Sequence, residues 1–210
     1  MVHSVRFTCV LDTNVIYPIE IRDILLWFAH YDLYTPKWSQ HIFDEWENAM
    51  RRKGTVDAEI AKRLQTVQQA FPDAFVENYE SLIQGLDLPD EKDRHVLAAA
   101  IKANANIIVT NNLKHFPAPY LASFGLVAKN ADDLVTDLID LNPQKAVKAF
   151  LEMVSHKRNP PLNELQVLDR LRGEDLPKQQ TTCTPKSELP SPEMNVDFHL
   201  RQRFGGRCPK

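Results

Sequence analysis

No stretch of this chain approaches the roughly 20 consecutive apolar residues that a membrane-spanning helix needs. The opening MVHSVRFTCVLDTN also lacks a basic start, a long apolar segment and a small-residue cleavage site. Cysteine is scarce. Cys9, Cys183 and Cys208 lie far apart and form no CxxC pair, which argues against a disulfide framework and against a thiolate zinc site. Cys9 falls in an apolar run and reads as a small core residue. An excess of positive charge is missing too: 25 Lys and Arg stand against 28 Asp and Glu, a net charge of −3. Contact with nucleic acid must then come from a local patch of cations. The expectation is a cytoplasmic globular protein that does not engage a membrane.

What the chain does contain is an alternation of short apolar runs and amphipathic segments. Apolar residues make up 43% of 210 positions, enough for one core and an appendage. Val5 to Leu11 is rich in β-branched and apolar residues and predicts a first strand. Pro18 opens a helical pattern with Ile21, Ile24, Leu25 and Phe28 on one face. Residues 31–35 suggest a short strand closed by Pro36. Ser39 is a good N-cap for a helix that turns Ile42, Phe43, Trp46 and Met50 inward and breaks at Gly54. Another helix spans 57–70. In PDEKDRHVLAAAIKANANIIVTNNLKHFP, Asp90 caps a helix whose buried stripe is Val96, Leu97, Ala100 and Ile101. Asn104 to Asn106 ends that helix, and Ile107-Ile108-Val109 reads as a fully buried parallel strand. A helix over 132–141 follows.

The alternation predicts an α/β fold: a three-layer domain over 1–140 with a central parallel sheet flanked by helices. Residues 141–177 are purely helical, over 146–156 and 162–171, and form a small C-terminal helical appendage. Residues 178–210, rich in Gln, Thr, Pro and Ser, read as a flexible tail.

Parallel sheets bind their ligands beyond the carboxyl ends of the strands. Two such ends are polar here, Asp12-Thr13-Asn14 and Thr110-Asn111-Asn112. Asp93 precedes Val96 and Leu97 by three and four residues and so shares their face. On the helix after Ser39, Asp44 points away from the apolar stripe. Glu45 and Glu47 flank it, and periodicity does not choose between them. Acids that converge on one point repel each other and are costly to bury unpaired. A divalent cation resolves this, and oxygen ligands without His or Cys suit Mg²⁺ or Mn²⁺. The chemistry such an ion serves is hydrolysis of a phosphodiester.

LDTNV after a strand, an acid in WSQHIFDEW, PDEKDRHVLAAAI and IIVTNNLKHFP, taken together and in this order, resemble the PIN-domain nucleases, and among them the VapC-type toxins of bacterial toxin–antitoxin pairs. The resemblance covers residues 6 to about 140. RNPPLNELQVLDRL resembles the helical extension of one VapC-like branch. The resemblance implies a Mg²⁺- or Mn²⁺-dependent endoribonuclease, a homodimer, neutralised by a cognate antitoxin. Position by position, Asp12, Glu45 and Asp93 match the metal-binding acids, which selects Glu45 over Glu47. Asn112 falls where many PIN domains have a fourth acid, and its carbonyl could still orient a water. Asn14 and Thr110 match polar positions that brace the site, and Asp90 is a supporting residue.

Other readings compete. Asp12 could be a turn-former, Asp93 a capping partner of Asp90, and Glu45 a solvated helix acid. His95, beside Arg94, reads as a structural helix-surface residue. Trp27, Trp38 and Trp46 suit a core or a dimer interface. Arg51-Arg52-Lys53 closes a helix, where cations favour the dipole, and is a candidate RNA-phosphate patch. Lys157-Arg158 and the tail residues Arg201, Arg203 and Arg207 read as solvated charge. Two further functions remain open. One is a PIN fold kept as an inactive RNA- or protein-binding module. The other is a haloacid-dehalogenase-type phosphatase, which would need an Asp where Asn14 stands.

Overall fold

The computed structural model describes residues 7–173 and, beyond them, Val196, Leu200 and Arg203. The first strand, β1 (Thr8–Leu11), leads into a single helical turn, α1 (Thr13–Ile16), and then into α2 (Ile19–His30). After these come β2 (Thr35–Lys37), α3 (Gln40–Arg52), α4 (Asp57–Ala70) and α5 (Glu80–Ile83). The second half of the sheet is built by α6 (Arg94–Lys102), β3 (Ile107–Val109), α7 (Ala118–Ala122) and β4 (Val127–Lys129). Three helices close the described chain: α8 (Ala131–Leu141), α9 (Pro143–Ser155) and α10 (Glu164–Gly173). Among the described residues no helix is long and apolar enough to cross a membrane.

The four strands form one parallel sheet in the order β2-β1-β3-β4, flanked by helices. This is the α/β architecture that the alternation predicts. Cys9, Val10 and Leu11 on β1 and Ile108 and Val109 on β3 are almost wholly buried, as central strands covered on both faces require. Burial pushes the Cys9 thiol pKa up, consistent with an inert core residue.

Local chemistry sets the helix ends. Ser39 caps α3 through the amide of Ile42, and Gly54 follows the helix at φ +83°. There Gly54 N–H donates to the Arg51 carbonyl and Thr55 N–H to the Met50 carbonyl, the paired bonds of a Schellman ending. The same pair ends α6. Asn104, at φ 47°, donates to Ile101 and Ala105 to Ala100, which drops the chain straight into β3.

Several expectations need correction. The strand foreseen at 31–35 lies at Thr35–Lys37, with Pro36 in its middle. An edge strand tolerates this because one row of its backbone groups has no ladder partner to lose. Leu33 and Tyr34 are buried just ahead of it. The helix foreseen from Asp90 opens as a 3-10 turn, Glu91–Asp93, before α6 begins at Arg94. The short elements α1, α5, α7 and β4 carry too few residues for a periodic signal.

Lys157 is not solvated. Its ammonium donates to Glu20 (2.6 Å) and Asp23 (2.8 Å) on α2, and Arg170 approaches Glu20 at 3.5 Å. Burial works against the Lys157 charge, but bonds and attraction to Asp23 and Glu20 outweigh it and raise its pKa. Arg203 is also buried. It pairs with Asp132 at 3.5 Å and donates to the Leu171 carbonyl. Val196, Leu200 and Arg203 fall at i, i+4 and i+7, and all three are buried. The rest of the expected tail, with Cys183, Arg201, Arg207 and Cys208, lies outside the described residues. Trp38 and Trp46 belong to the core, and Trp27 is half-buried against His156.

Lys157→Met leaves the buried Glu20 carboxylate with only the longer contact to Arg170. Urea unfolding is expected to show a loss of about 2 kcal/mol, below the range for breaking a fully buried pair because Lys157 keeps some solvent contact.

Candidate functional site

The pairing of β1 with β3 builds the centre of the site. Leu11 lies opposite Val109, and the Asp12 amide donates to the Val109 carbonyl at 3.0 Å. The residues that follow, Asp12 and Thr110, therefore emerge side by side. From β1 the chain crosses to β2 on one side of the sheet and reaches β3 on the other, so this is also where the strand order reverses. Such switch points leave a crevice at the carboxyl ends.

Asp12 is buried, and its carboxylate is held in one orientation by three donors. Oδ1 accepts from the Thr13 amide (2.6 Å), and Oδ2 accepts from the Thr110 hydroxyl (2.7 Å) and the Asn14 amide (2.6 Å). Asn14 also donates to Thr110 Oγ1 (2.9 Å), and its Oδ1 accepts from the Asn111 amide (2.9 Å). Thr110 Oγ1 further accepts from the Asn112 amide (3.1 Å). One buried hydroxyl thus links both strand ends. Burial pushes the Asp12 pKa up, the Thr110 bond opposes it, and the charges of Asp93 and Glu45 raise it again, to about 6.

Of the three acids on α3, only Glu45 faces this region. Its Oε2 accepts from the Thr13 hydroxyl (2.6 Å) and its Oε1 lies 3.2 Å from His95 Nε2. Asp44 is turned to Gln40 and Glu47 to Arg51. Burial pushes the Glu45 pKa up, but bonds from His95 and Thr13 and the nearby imidazoles more than offset it, so the net shift is downward. The surface reading of His95 is therefore corrected: it is buried on the first turn of α6, aimed at Glu45. Periodicity misses this because it ranks His95 by its own helix and not by the facing one.

Asp93 stands at the N-cap of α6 but makes no side-chain capping bond there. Its Oδ2 lies 2.6 Å from His115 Nδ1. Asp90 Oδ1 caps the 3-10 turn through the Lys92 amide, and its Oδ2 lies 3.8 Å from His115. Asp12, Glu45, Asp90, Asp93, Asn112 and His115 all line one cleft of about 520 Å³. Asn14 and Arg52 line it as well. Among the described residues, the tight group of possible metal ligands is Asp90, Asp93 and His115, with one atom of each within 4.8 Å of the others. Asp12 and Glu45 share the cleft without joining that group. His115 was missing from the sequence reading; its signal is the short interval from Asn112, bridged by a 3-10 turn over Leu113–His115.

The basic trio separates. Arg51 is engaged by Glu47 (2.6 Å) and Asp57 (3.0 Å), whereas Arg52 lines the cleft; Lys53 is exposed at the end of α3. Lys92 also lines the cleft. A buried carboxylate raised by two further carboxylates is the electrostatic condition that a divalent cation relieves, so the donor set fits such an ion.

Thr110→Val removes the hydroxyl that ties Asp12, Asn14 and Asn112 together. It is expected to cost about 1–3 kcal/mol in urea unfolding. It should also raise the Asp12 pKa above about 6, read by carboxyl-carbon NMR titration.

Comparison with known proteins adds the lineage. Residues 8–114 match the model of the PIN domain, and residues 131–179 match that of the VapC50 C-terminal domain. The chain is 40% identical over 105 residues to the Mycobacterium tuberculosis protein named "Putative ribonuclease VapC50", an alignment covering 50% of this chain and 61% of that protein. The chain thus spans about three-fifths of the length of that relative. No solved structure matches it. The PIN match takes in slightly more than half of the 210 residues, including both central strands and every acid of the cleft, and on that ground the chain belongs to the PIN-domain family.

Proposed function

We propose that this protein is a metal-dependent endoribonuclease that hydrolyses RNA phosphodiester bonds and acts as the toxin of a toxin–antitoxin pair. The observation that carries the reading is the convergence of Asp12, Glu45 and Asp93, from three separate elements, on one cleft at the carboxyl end of the sheet. The VapC50 relative, a ribonuclease by name, supports the same reaction class. Mg²⁺ or Mn²⁺ is the proposed cofactor, held by Asp12, Glu45 and Asp93. The chemistry such an ion would supply there is polarisation of the phosphate and activation of water.

The chain's own residues supply orientation. Thr13, Asn14 and Thr110 hold the Asp12 carboxylate in place before any ligand arrives. Thr13 also sets Glu45 through its hydroxyl, so one residue positions two acids. His95 holds the other Glu45 oxygen, and Asp90 caps the turn that presents Asp93. The side-chain oxygen of Asn112, a residue that lines the cleft, can accept from the attacking water. Arg52 and Lys92 share the cleft with the acids and suit contacts to the RNA phosphates. Lys53, exposed at the end of α3, and Arg51, which would have to exchange Glu47 and Asp57 for phosphate, complete the proposed RNA patch. The proposed partners are an RNA substrate, a cognate antitoxin and a second copy of this chain, in the cytoplasm.

Asp12→Ala is expected to lower RNA cleavage by more than about 100-fold, because even indirect support of a metal ligand is worth 10- to 100-fold. The variant should keep the far-ultraviolet circular dichroism of the parent and no longer arrest growth on expression. A folded Asp12→Ala protein that still cleaves RNA and arrests cells would overturn the proposal.

Acidity gives a second check. As pH falls through about 6, Asp12 takes up a proton that a cation must displace. Calorimetric Mg²⁺ affinity is therefore expected to be level above pH 7 and to drop about tenfold per unit below 6.

A further inference from the structure

We propose that Asp90, Asp93 and His115 form a cation site that takes a first-row transition-metal ion in preference to Mg²⁺. His115 supplies the ligand that Asn112 does not. The inference rests on the reading of the cleft as a metal-dependent site and extends it to residues outside the expected acid set.

Three observations carry it. The first is spacing. His115 Nδ1 lies 2.6 Å from Asp93 Oδ2 and 3.8 Å from Asp90 Oδ2. Ligand atoms about 2.1 Å from one ion sit about 3.0–3.4 Å apart at tetrahedral to octahedral angles. The observed separations bracket that interval, so shifts of tenths of an ångström would admit an ion. The bond between Asp93 and His115 would be exchanged for coordination by both.

The second is a division of labour within Asp90. Its Oδ1 is committed to the Lys92 amide at 3.0 Å, and its Oδ2 is the oxygen turned to His115. The third is location. All three residues line the cleft that also holds Asp12 and Glu45, and the turn over Leu113–His115 carries the imidazole there from Asn112. The His115 amide donates to the Asn112 carbonyl at 2.9 Å, which fixes that turn. A neutral amide stands where an acid would add charge, and an imidazole stands one 3-10 turn further on.

The chemistry of the donors sets the preference. Mg²⁺ seeks oxygen and keeps its waters, whereas a nitrogen ligand favours ions later in the first row, with Co²⁺ above Mn²⁺. The all-oxygen site foreseen from the acids alone has no such bias.

The test is a titration of the full-length, metal-free chain with Co²⁺, followed by visible absorbance, and with Mg²⁺, followed by calorimetry. Co²⁺ should bind at least about tenfold more tightly than Mg²⁺. His115→Gln should weaken Co²⁺ about tenfold more than it weakens Mg²⁺. His115→Asp, which restores an all-oxygen set, should reverse the preference toward Mg²⁺. Thermal unfolding of each variant confirms its fold. If His115→Gln binds Co²⁺ as the parent does, while Asp93→Asn and Asp12→Ala weaken it, this proposal fails and the nuclease reading stands. Equal weakening of both ions by His115→Gln makes His115 a positioning residue and also overturns the proposal. Should the parent bind neither ion at millimolar concentration, both readings fall.

Discussion

Everything at the cleft depends on the pairing of Leu11 with Val109. Those two residues are in register at the carboxyl ends of adjacent parallel strands, and the next residue of each is polar. A slip of one residue between the two strands would move Asp12 and Thr110 out of step at the strand ends. Asp12 would then no longer meet Thr110. Val10, Leu11, Ile108 and Val109 have almost no solvent contact, so the core packs against both faces of these two strands. The apolar core thus positions a carboxylate that it does not itself touch favourably.

That carboxylate is costly in the absence of a partner. Burial and the charges of Asp93 and Glu45 push its pKa to about 6, and three hydrogen bonds hold it where it is. A group kept under such strain and locked in one orientation is suited to a ligand more than to stability. Around it the second carboxylates are restrained by histidines: His95 on Glu45 and His115 on Asp93. Each acid therefore has a neighbour that orients it from an element distant in sequence.

Much of the architecture was legible in the residues. The buried strand Ile107–Val109, the cap at Ser39 and the helix over 57–70 follow from local chemistry that tertiary contacts reinforce. The choice of Glu45 over Glu47 was open to periodicity and came from a resemblance. In the structure Glu45 is the one that lines the cleft, in contact with Thr13, 32 positions earlier, and His95, 50 positions later. The strand at Thr35–Lys37 was misplaced because Pro36 reads as a terminator, and only its position at the sheet edge makes it harmless. Lys157 and Arg203 looked solvated because their acids, Glu20, Asp23 and Asp132, lie far away in the chain.

The sequence by itself determined the longer helices and the two central strands, which faces are apolar, and that polar residues follow both central strands. Those properties depend on neighbours within a few positions. Tertiary structure alone decided which acids share a cleft, that His115 joins them while His95 holds Glu45, and which cations are already paired. Those depend on side chains brought together across 22 to 137 positions, a distance over which local periodicity carries no information.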